Sequence, residues 1–176
     1  ELAGLPFGRL EFQLKAVDNA SPPQSALSAK GVVEVADLQA AHAQSEQLWR
    51  KAEQSLKAAG ETAEKLRHDL AAGKPARERD VAALPPEWER AAQDLKQLAD
   101  ALRRDAYGNP GLADEMKNVA DGLLAAQQDE LPEAQQAARA GPSSEAAQRH
   151  ERLARRLEQA RKLLQQGRAL QSLEDF

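Results

Sequence analysis

The side chains best suited to chemistry in this 176-residue chain are three histidines, because cysteine is absent. His42 has Glu46 four residues after it, and His68 has Glu64 four residues before it. On a helix each such pair lies on one face and could supply two ligands to a metal ion. His150 also has an adjacent glutamate, but no stretch offers a third ligand at regular spacing. We therefore expect surface imidazoles in ion pairs along helix faces, with no metal site and no cofactor.

Pairs of carboxylates could provide a general acid and a general base. Glu61 with Glu64, and Asp114 with Glu115, have suitable spacing for such a pair. A solvated, glutamine-rich helix offers nothing that would raise the pKa of one carboxyl and leave its partner ionised. The chain also lacks a Gly-x-Ser-x-Gly elbow, a phosphate-binding glycine loop and a cysteine nucleophile. We assign no catalytic residue and predict a protein that is not an enzyme and has no small-molecule substrate.

The most basic stretch of the chain contains Arg149, Arg152, Arg155, Arg156, Arg161 and Lys162. Such a face could contact the phosphates of a nucleic acid. Glutamates interleave with these cations, however, and no aromatic residue lies nearby to stack on bases. Two of those glutamates, Glu151 and Glu158, precede Arg155 and Lys162 by four residues, which stabilises a helix. We prefer a structural role and keep nucleic-acid binding through the arginine face as an alternative, although the net charge is −4.

Two kinds of element must position these side chains, because the composition changes at Asp37. Residues 1–36 hold four of the six valines and two of the three phenylalanines. Apolar and polar residues alternate over 10–16 and over 27–35, as is typical of half-buried strands. The intervening Asp-Asn-Ala-Ser-Pro-Pro segment favours a turn. The sequence therefore predicts an antiparallel β hairpin over 1–36 and a separate helical region over 37–176.

The first two predicted helices are bounded by glycine and proline. Asp37 is the expected N-cap of the first helix, which runs to about Ala72 and ends at Gly73. The Leu-Pro-Pro segment that follows reads as a stop signal, with Pro86 at the first position of the second helix. That second helix is expected to end at Gly108.

The remaining two helices are predicted in the same way. Asn109 and Pro110 supply an N-cap and a first helical residue for the third helix. An interior proline costs about 3 kcal/mol, so Pro132 is expected to kink or restart it. After a Gly-Pro stop, Ser143 or Ser144 caps a fourth helix that continues to about residue 173.

Leucine, tryptophan and alanine recur along these helices at the a and d positions of a heptad repeat. The predicted fold class is mainly α, with an N-terminal β hairpin followed by an elongated helical bundle or coiled-coil array of about four helices. The seams would pair with one another, with a second copy of the chain or with a partner helix. The residues assigned to this interaction seam are Trp49, Leu56, Leu66, Leu70, Trp88, Leu95, Leu98, Leu102, Met116, Leu123, Leu153, Leu157 and Leu164.

The hairpin sequence has a recognisable pattern, in which an alternating strand ends in Ala16-x-Asp18 and is followed by Ser21-Pro22-Pro23 and a valine-rich strand. This pattern resembles the last hairpin of cadherin-like and other Ig-like repeats, and implies a remnant of an Ig-like sandwich. The resemblance implies a calcium ligand at Asp18. Ala20 replaces the usual glycine and the acidic linker is missing, so a turn-forming role for Asp18 is preferred and a calcium-dependent adhesion fragment is an alternative.

The order of elements is also similar to that of large bacterial envelope proteins with membrane anchors, extracytoplasmic Ig-like domains and long helical stretches. This resemblance implies an extracytoplasmic location, in the periplasm or cell envelope. No apolar run reaches the roughly 20 residues that span a bilayer, so a membrane anchor would lie outside this sequence. We expect a structural scaffold or protein–protein interaction arm that contacts a protein partner or a second copy of itself.

Overall fold

The computed structural model describes the backbone of residues 8–35, 38–105 and 108–174, and the side chains of residues 8–33, 43–105 and 108–170. It confirms a mainly helical chain in which a small N-terminal hairpin precedes four helices. The chain divides into two compact units, Glu1–Ala40 and Ala41–Phe176. The predicted N-cap Asp37 lies outside the described residues.

The hairpin contains four short strands rather than two long ones. Strand β1 (Gly8–Phe12) pairs antiparallel with β4 (Gly31–Val35), and β2 (Lys15–Val17) pairs antiparallel with β3 (Ser25–Leu27). Between the two ladders, residues 13–14 of one arm face residues 28–30 of the other, so the second arm carries one extra residue. This is a β-bulge, which interrupts the continuous alternation that the sequence predicted.

Hydrogen bonds made by Ser28 stabilise the bulge. Its backbone N–H donates to the Leu14 carbonyl at 2.8 Å, and its hydroxyl oxygen accepts from the Leu14 N–H at 3.0 Å. The Gln13 side chain donates to the Ser28 carbonyl at 2.8 Å. These bonds replace the ladder bonds that the extra residue removes, so the two halves of the hairpin remain connected.

The helical unit contains α1 (Leu38–Ala71), α2 (Glu78–Arg104), α3 (Pro110–Ala140) and α4 (Ser144–Glu174). Each helix runs antiparallel to the next. In every pair of consecutive helices, later residues of the first helix form ion pairs with earlier residues of the second. Arg168 of α4 contacts Glu46 and Glu53 of α1, which closes the ring. The four helices therefore form an up-down-up-down bundle.

Three helix ends follow the sequence signals. Gly73 has φ 71°, its N–H donates to the Leu70 carbonyl at 3.1 Å, and the Lys74 N–H donates to the Asp69 carbonyl at 2.9 Å. This is the Schellman motif that a glycine after a helix favours. The Asn109 side chain caps α3 by accepting from two backbone amides, and Ser143 caps α4 by accepting from the Ala146 N–H at 3.0 Å.

The predicted start of the second helix was wrong. α2 begins at Glu78, and Pro85 and Pro86 lie inside it. Val81 and Leu84 are 1% and 0% exposed, so the seam of buried side chains extends N-terminally past the prolines. Pro85 has no N–H for the Val81 carbonyl, and that carbonyl instead accepts from the Gln135 side chain of α3 at 3.0 Å. Burial of the seam and this replacement bond let the helix continue.

Pro132 likewise does not restart the third helix. α3 is continuous from Pro110 to Ala140, with Leu131 and Ala134 buried on either side of the proline. Pro132 and Gln128, whose carbonyl loses its partner, are both exposed, so water can reach the freed acceptor. The packed face of the helix is undisturbed.

The core consists of the predicted seam and the alanines between its members. All thirteen assigned seam residues, from Trp49 to Leu164, are buried at 2% exposure or less. The Trp88 indole N–H donates to the Leu123 carbonyl at 2.7 Å, which satisfies its polar atom inside the core. The seams therefore pair with one another inside this chain, the first of the three arrangements that the sequence allowed.

We expect Gly60→Ala to raise the free energy of unfolding by about 1 kcal/mol, because alanine has the higher helix propensity and space is open around Gly60. Gly167→Ala should raise the free energy of unfolding by a smaller amount, or lower it. Its methyl group would overlap Leu112 and lie 3.2 Å from Cη2 of Trp49. Chemical denaturation of both variants and wild type measures the difference. Equal gains at the two positions would contradict the close packing of α4 against Trp49 and Leu112.

Candidate functional site

The three histidines do not converge on one site. His150 is fully buried in α4, contrary to the predicted surface position, because it occupies the core-facing side of the helix. His68 is exposed, and Glu64 bonds to Arg67 at 2.6 Å instead. The side chain of His42 lies outside the described residues. Across the described part of the chain, no group of three or more histidines and carboxylates could hold a metal ion.

His150 is a neutral imidazole inside the core. Its Nδ1 donates to the Ala146 carbonyl at 3.0 Å, and its buried Nε2 has no hydrogen-bond partner in the described structure. Burial lowers the pKa of His150 below its ordinary value, because a charged imidazolium would lose its hydration. The unfolded chain therefore binds a proton more readily than the folded chain, and stability must fall as the pH drops.

We expect the free energy of unfolding to decrease as the pH falls below about 6.5, the ordinary histidine pKa. His150→Leu should show a smaller decrease between about pH 7 and about pH 5, because it cannot take up the proton. Urea denaturation at both pH values measures this. His68→Gln, an exposed histidine on α1, should keep the wild-type dependence. Equal pH dependence in wild type and His150→Leu would contradict the assignment.

The paired carboxylates considered as an acid and a base lie on solvated surfaces, as expected, and three of the four lie next to cations. Glu61 lies 3.8 Å from Lys57, and Glu64 bonds to Arg67. Asp114 pairs with Arg103 across the α2/α3 interface. Glu115 is exposed. Glu61 and Glu64 line one open groove of about 250 Å³, and Asp114 and Glu115 lie apart from it on α3.

Four of the six cations of the arginine face line an open groove of about 480 Å³ between α3 and α4: Arg149, Arg152, Arg155 and Arg156. Arg149 bonds to Glu145 of its own helix at 2.9 Å and to Glu133 of α3, and these bonds raise its pKa. Arg156 pairs with Glu130 of α3, and Arg152 also lines the groove. Most of this positive charge is therefore neutralised by neighbouring glutamates.

The helix-stabilising pairs predicted within α4 are confirmed. Arg155 contacts Glu151 at 2.6 Å, and Lys162 contacts Glu158 at 4.0 Å. Arg161 also contacts Glu158 at 3.3 Å. These pairs lie at i,i+3 or i,i+4 spacing on one helix surface.

The Asp18 carboxylate forms part of the hairpin turn. Its Oδ1 accepts from the Gln24 N–H at 2.7 Å and from the Ala20 N–H at 3.2 Å. The Asp18 N–H also donates to the Gln24 carbonyl at 3.0 Å. An aspartate that accepts from nearby backbone amides stabilises a turn, which is the role that the sequence favoured.

The hairpin exposes an unusual amount of apolar side chain for its size. Phe12 is 51% exposed and Leu27 is 63% exposed. The other large hydrophobic side chains in the hairpin with similar exposure are Leu14, Val17, Val32 and Val33. Phe12 is paired with Gly31, and its ring covers the space that a side chain at Gly31 would occupy. Val32 and Val33 are adjacent in β4, so these groups lie on both faces of the hairpin. Exposed apolar groups in this number are typical of an interaction surface.

Buried carboxylates on α2, which we did not predict from the sequence, receive polar groups from α1. Asp80 and Asp94 are 7% and 2% exposed. Lys65 contacts Asp80 at 2.6 Å, and Lys51 contacts Asp94 at 2.9 Å. We call these two pairs the α1/α2 charge ladder. The contact with Lys65 lowers the pKa of Asp80, and this outweighs the effect of its burial.

A related polar contact lies at the end of α2. Ser45 and Asp105 are 0% and 5% exposed, and the Ser45 hydroxyl donates to Asp105 at 3.2 Å. Part of this signal was present in the sequence. Ser45 lies seven residues before Ala52 in the heptad row, and Asp94 directly precedes the seam residue Leu95.

We expect Lys51→Met to lower the free energy of unfolding by about 1–3 kcal/mol, because it leaves the Asp94 carboxylate buried without its cation. Lys57→Met is the matched control, since its pair with Glu61 is exposed and such pairs contribute about 0–1 kcal/mol. Thermal and urea denaturation compare the variants. Equal effects of the two substitutions would contradict a structural role for the ladder.

No protein-family model matches this sequence, and no curated protein or solved structure shows significant similarity to it. Within the described residues, no helix combines the length and the apolar character needed to cross a membrane.

Proposed function

We propose that this chain is a non-enzymatic structural scaffold or protein–protein interaction arm of a bacterial envelope protein. In this proposal the heptad-like seams build the scaffold, and the hairpin supplies a contact surface. The observation that carries it is the exposure of Phe12 and Leu27, together with four further apolar side chains, on one short hairpin. Water contact with so many apolar groups is unfavourable, so covering them on association releases free energy.

The composition of the bundle supports the scaffold part of the proposal. Most of its large apolar side chains are buried in its own core, with Leu163 and Leu170 as exposed exceptions, and its surface carries intramolecular ion pairs such as Arg149–Glu133 and Arg168–Glu46. Such a unit can fold without a partner and hold other segments in place. The envelope location rests on the resemblance of the hairpin to Ig-like repeats and on the order of elements.

The test is sedimentation equilibrium of the whole chain from micromolar to near-millimolar concentration. If the hairpin associates with a second copy, we expect self-association that the double variant Phe12→Ser/Val33→Ser weakens at least about tenfold, or about 1.4 kcal/mol. These two residues lie on one face, because the pairs Phe12–Gly31 and Leu10–Val33 lie two positions apart in the ladder.

Leu170→Ser is the matched control, because Leu170 is 59% exposed on the bundle. It should leave the association constant unchanged. A chain that remains monomeric at every concentration, with a melting temperature independent of concentration, would contradict self-association through the hairpin.

A further inference from the structure

We propose that the bundle carries a docking point for a lysine side chain of a partner protein, at a gap in the α1/α2 charge ladder beside Glu87. This inference deepens the proposed interaction function and rests on it for the nature of the partner. The ladder aspartates Asp80 and Asp94 are fourteen residues apart on α2, and their lysines are fourteen residues apart on α1. The two helices therefore keep an antiparallel heptad register between these pairs.

Glu87 occupies the position midway between the two aspartates. The residue midway between Lys51 and Lys65 on α1 is Ala58. A lysine is present at both neighbouring positions of the row, but the middle position has a methyl group. Ala58 and Glu87 line the same groove, of about 420 Å³, so the register does bring them to one place. The ladder thus has a carboxylate at this point and no cation from α1.

Two carboxylate oxygens at the gap lack hydrogen-bond donors among the described residues. Oε2 of Glu87 and Oδ2 of Asp94 are buried and have no hydrogen-bond partner in the described structure. The Asp94 side chain is 3% exposed, lines the groove, and contacts Lys51 through Oδ1 at 2.9 Å. Lys51 and Arg90 also line the groove, but neither donates a hydrogen bond to Oε2 of Glu87. A buried acceptor without a donor is unfavourable, so Glu87 favours a ligand that donates hydrogen bonds and carries positive charge.

The neighbouring pairs show how such a cation reaches a buried carboxylate. Lys51 and Lys65 have side chains that are 53% and 39% exposed, yet each places its ammonium on a carboxylate that is almost fully buried. Each lysine is therefore partly open to solvent while its ammonium lies against the carboxylate. A lysine from a partner can enter from solvent by the same route over Ala58. A compact ammonium suits single carboxylate oxygens, whereas the planar guanidinium prefers two at once.

The direct test is an NMR titration of the ¹⁵N-labelled whole chain with N-acetyl-lysine methylamide, which carries a lysine side chain on a neutral backbone. We expect saturable shifts of amides lining the groove, at Ser55, Ala58, Glu87 and Arg90, that diminish as salt is added. N-acetyl-norleucine methylamide, which lacks the ammonium, should cause none. Glu87→Gln should abolish the shifts, and the matched control Glu61→Gln should retain them.

A second test fills the gap from within the chain. Ala58→Lys should melt at a higher temperature than Ala58→Met, which has a similar stem without charge, and should no longer bind the probe. Absence of shifts in the wild type, identical shifts in Glu87→Gln, or equal melting of the two Ala58 variants would overturn the proposal. These readouts do not depend on self-association through the hairpin, so failure of this inference and failure of the proposed function are distinguishable.

Discussion

Close approach of the helix backbones is the constraint on which the rest of the helical unit depends. Alanine occupies nearly half of the buried hydrophobic positions among the described residues, and an alanine side chain buries little area. The helices must therefore lie near one another for the larger side chains of Trp49, Trp88 and the leucines to fill the space between them. Gly167 of α4 shows this constraint, because a methyl group there would overlap Leu112 and lie 3.2 Å from Cη2 of Trp49.

A seam of repeated leucine and alanine specifies poorly which position of one helix faces which position of the next. A shift by one heptad would exchange similar side chains at a small cost. Buried charges are more demanding, because a carboxylate displaced from its cation loses both hydration and its partner. The pairs Lys51–Asp94 and Lys65–Asp80 thus select one register of α1 against α2. The same register leaves Glu87 opposite Ala58, so the feature that aligns the helices also creates the gap between them.

The hairpin differs from the bundle because its backbone is hydrogen-bonded while its large apolar side chains stay exposed. Its backbone is well satisfied, through two short ladders, the bulge at Ser28 and the turn at Asp18. Its large apolar side chains remain exposed to solvent, because a sheet of only two strands cannot cover both of its own faces. Apolar residues suited to a half-buried strand therefore remain exposed, as at Phe12 and Leu27. The backbone hydrogen bonds of the hairpin are therefore formed, whereas its large apolar side chains remain in contact with solvent.

The amino-acid sequence by itself determined the fold class, the caps at Gly73, Asn109 and Ser143, and the membership of the seam, because these depend on local backbone preferences and on periodicity. Only the tertiary structure decided that α2 begins before Pro85, since the compensating bond comes from Gln135 on another helix. The burial of His150, the bulge at Ser28 and the pairing of α1 lysines with α2 aspartates were decided in the same way. Each depends on which element lies opposite, and single-chain periodicity shows which face of a helix is apolar without showing what that face will meet.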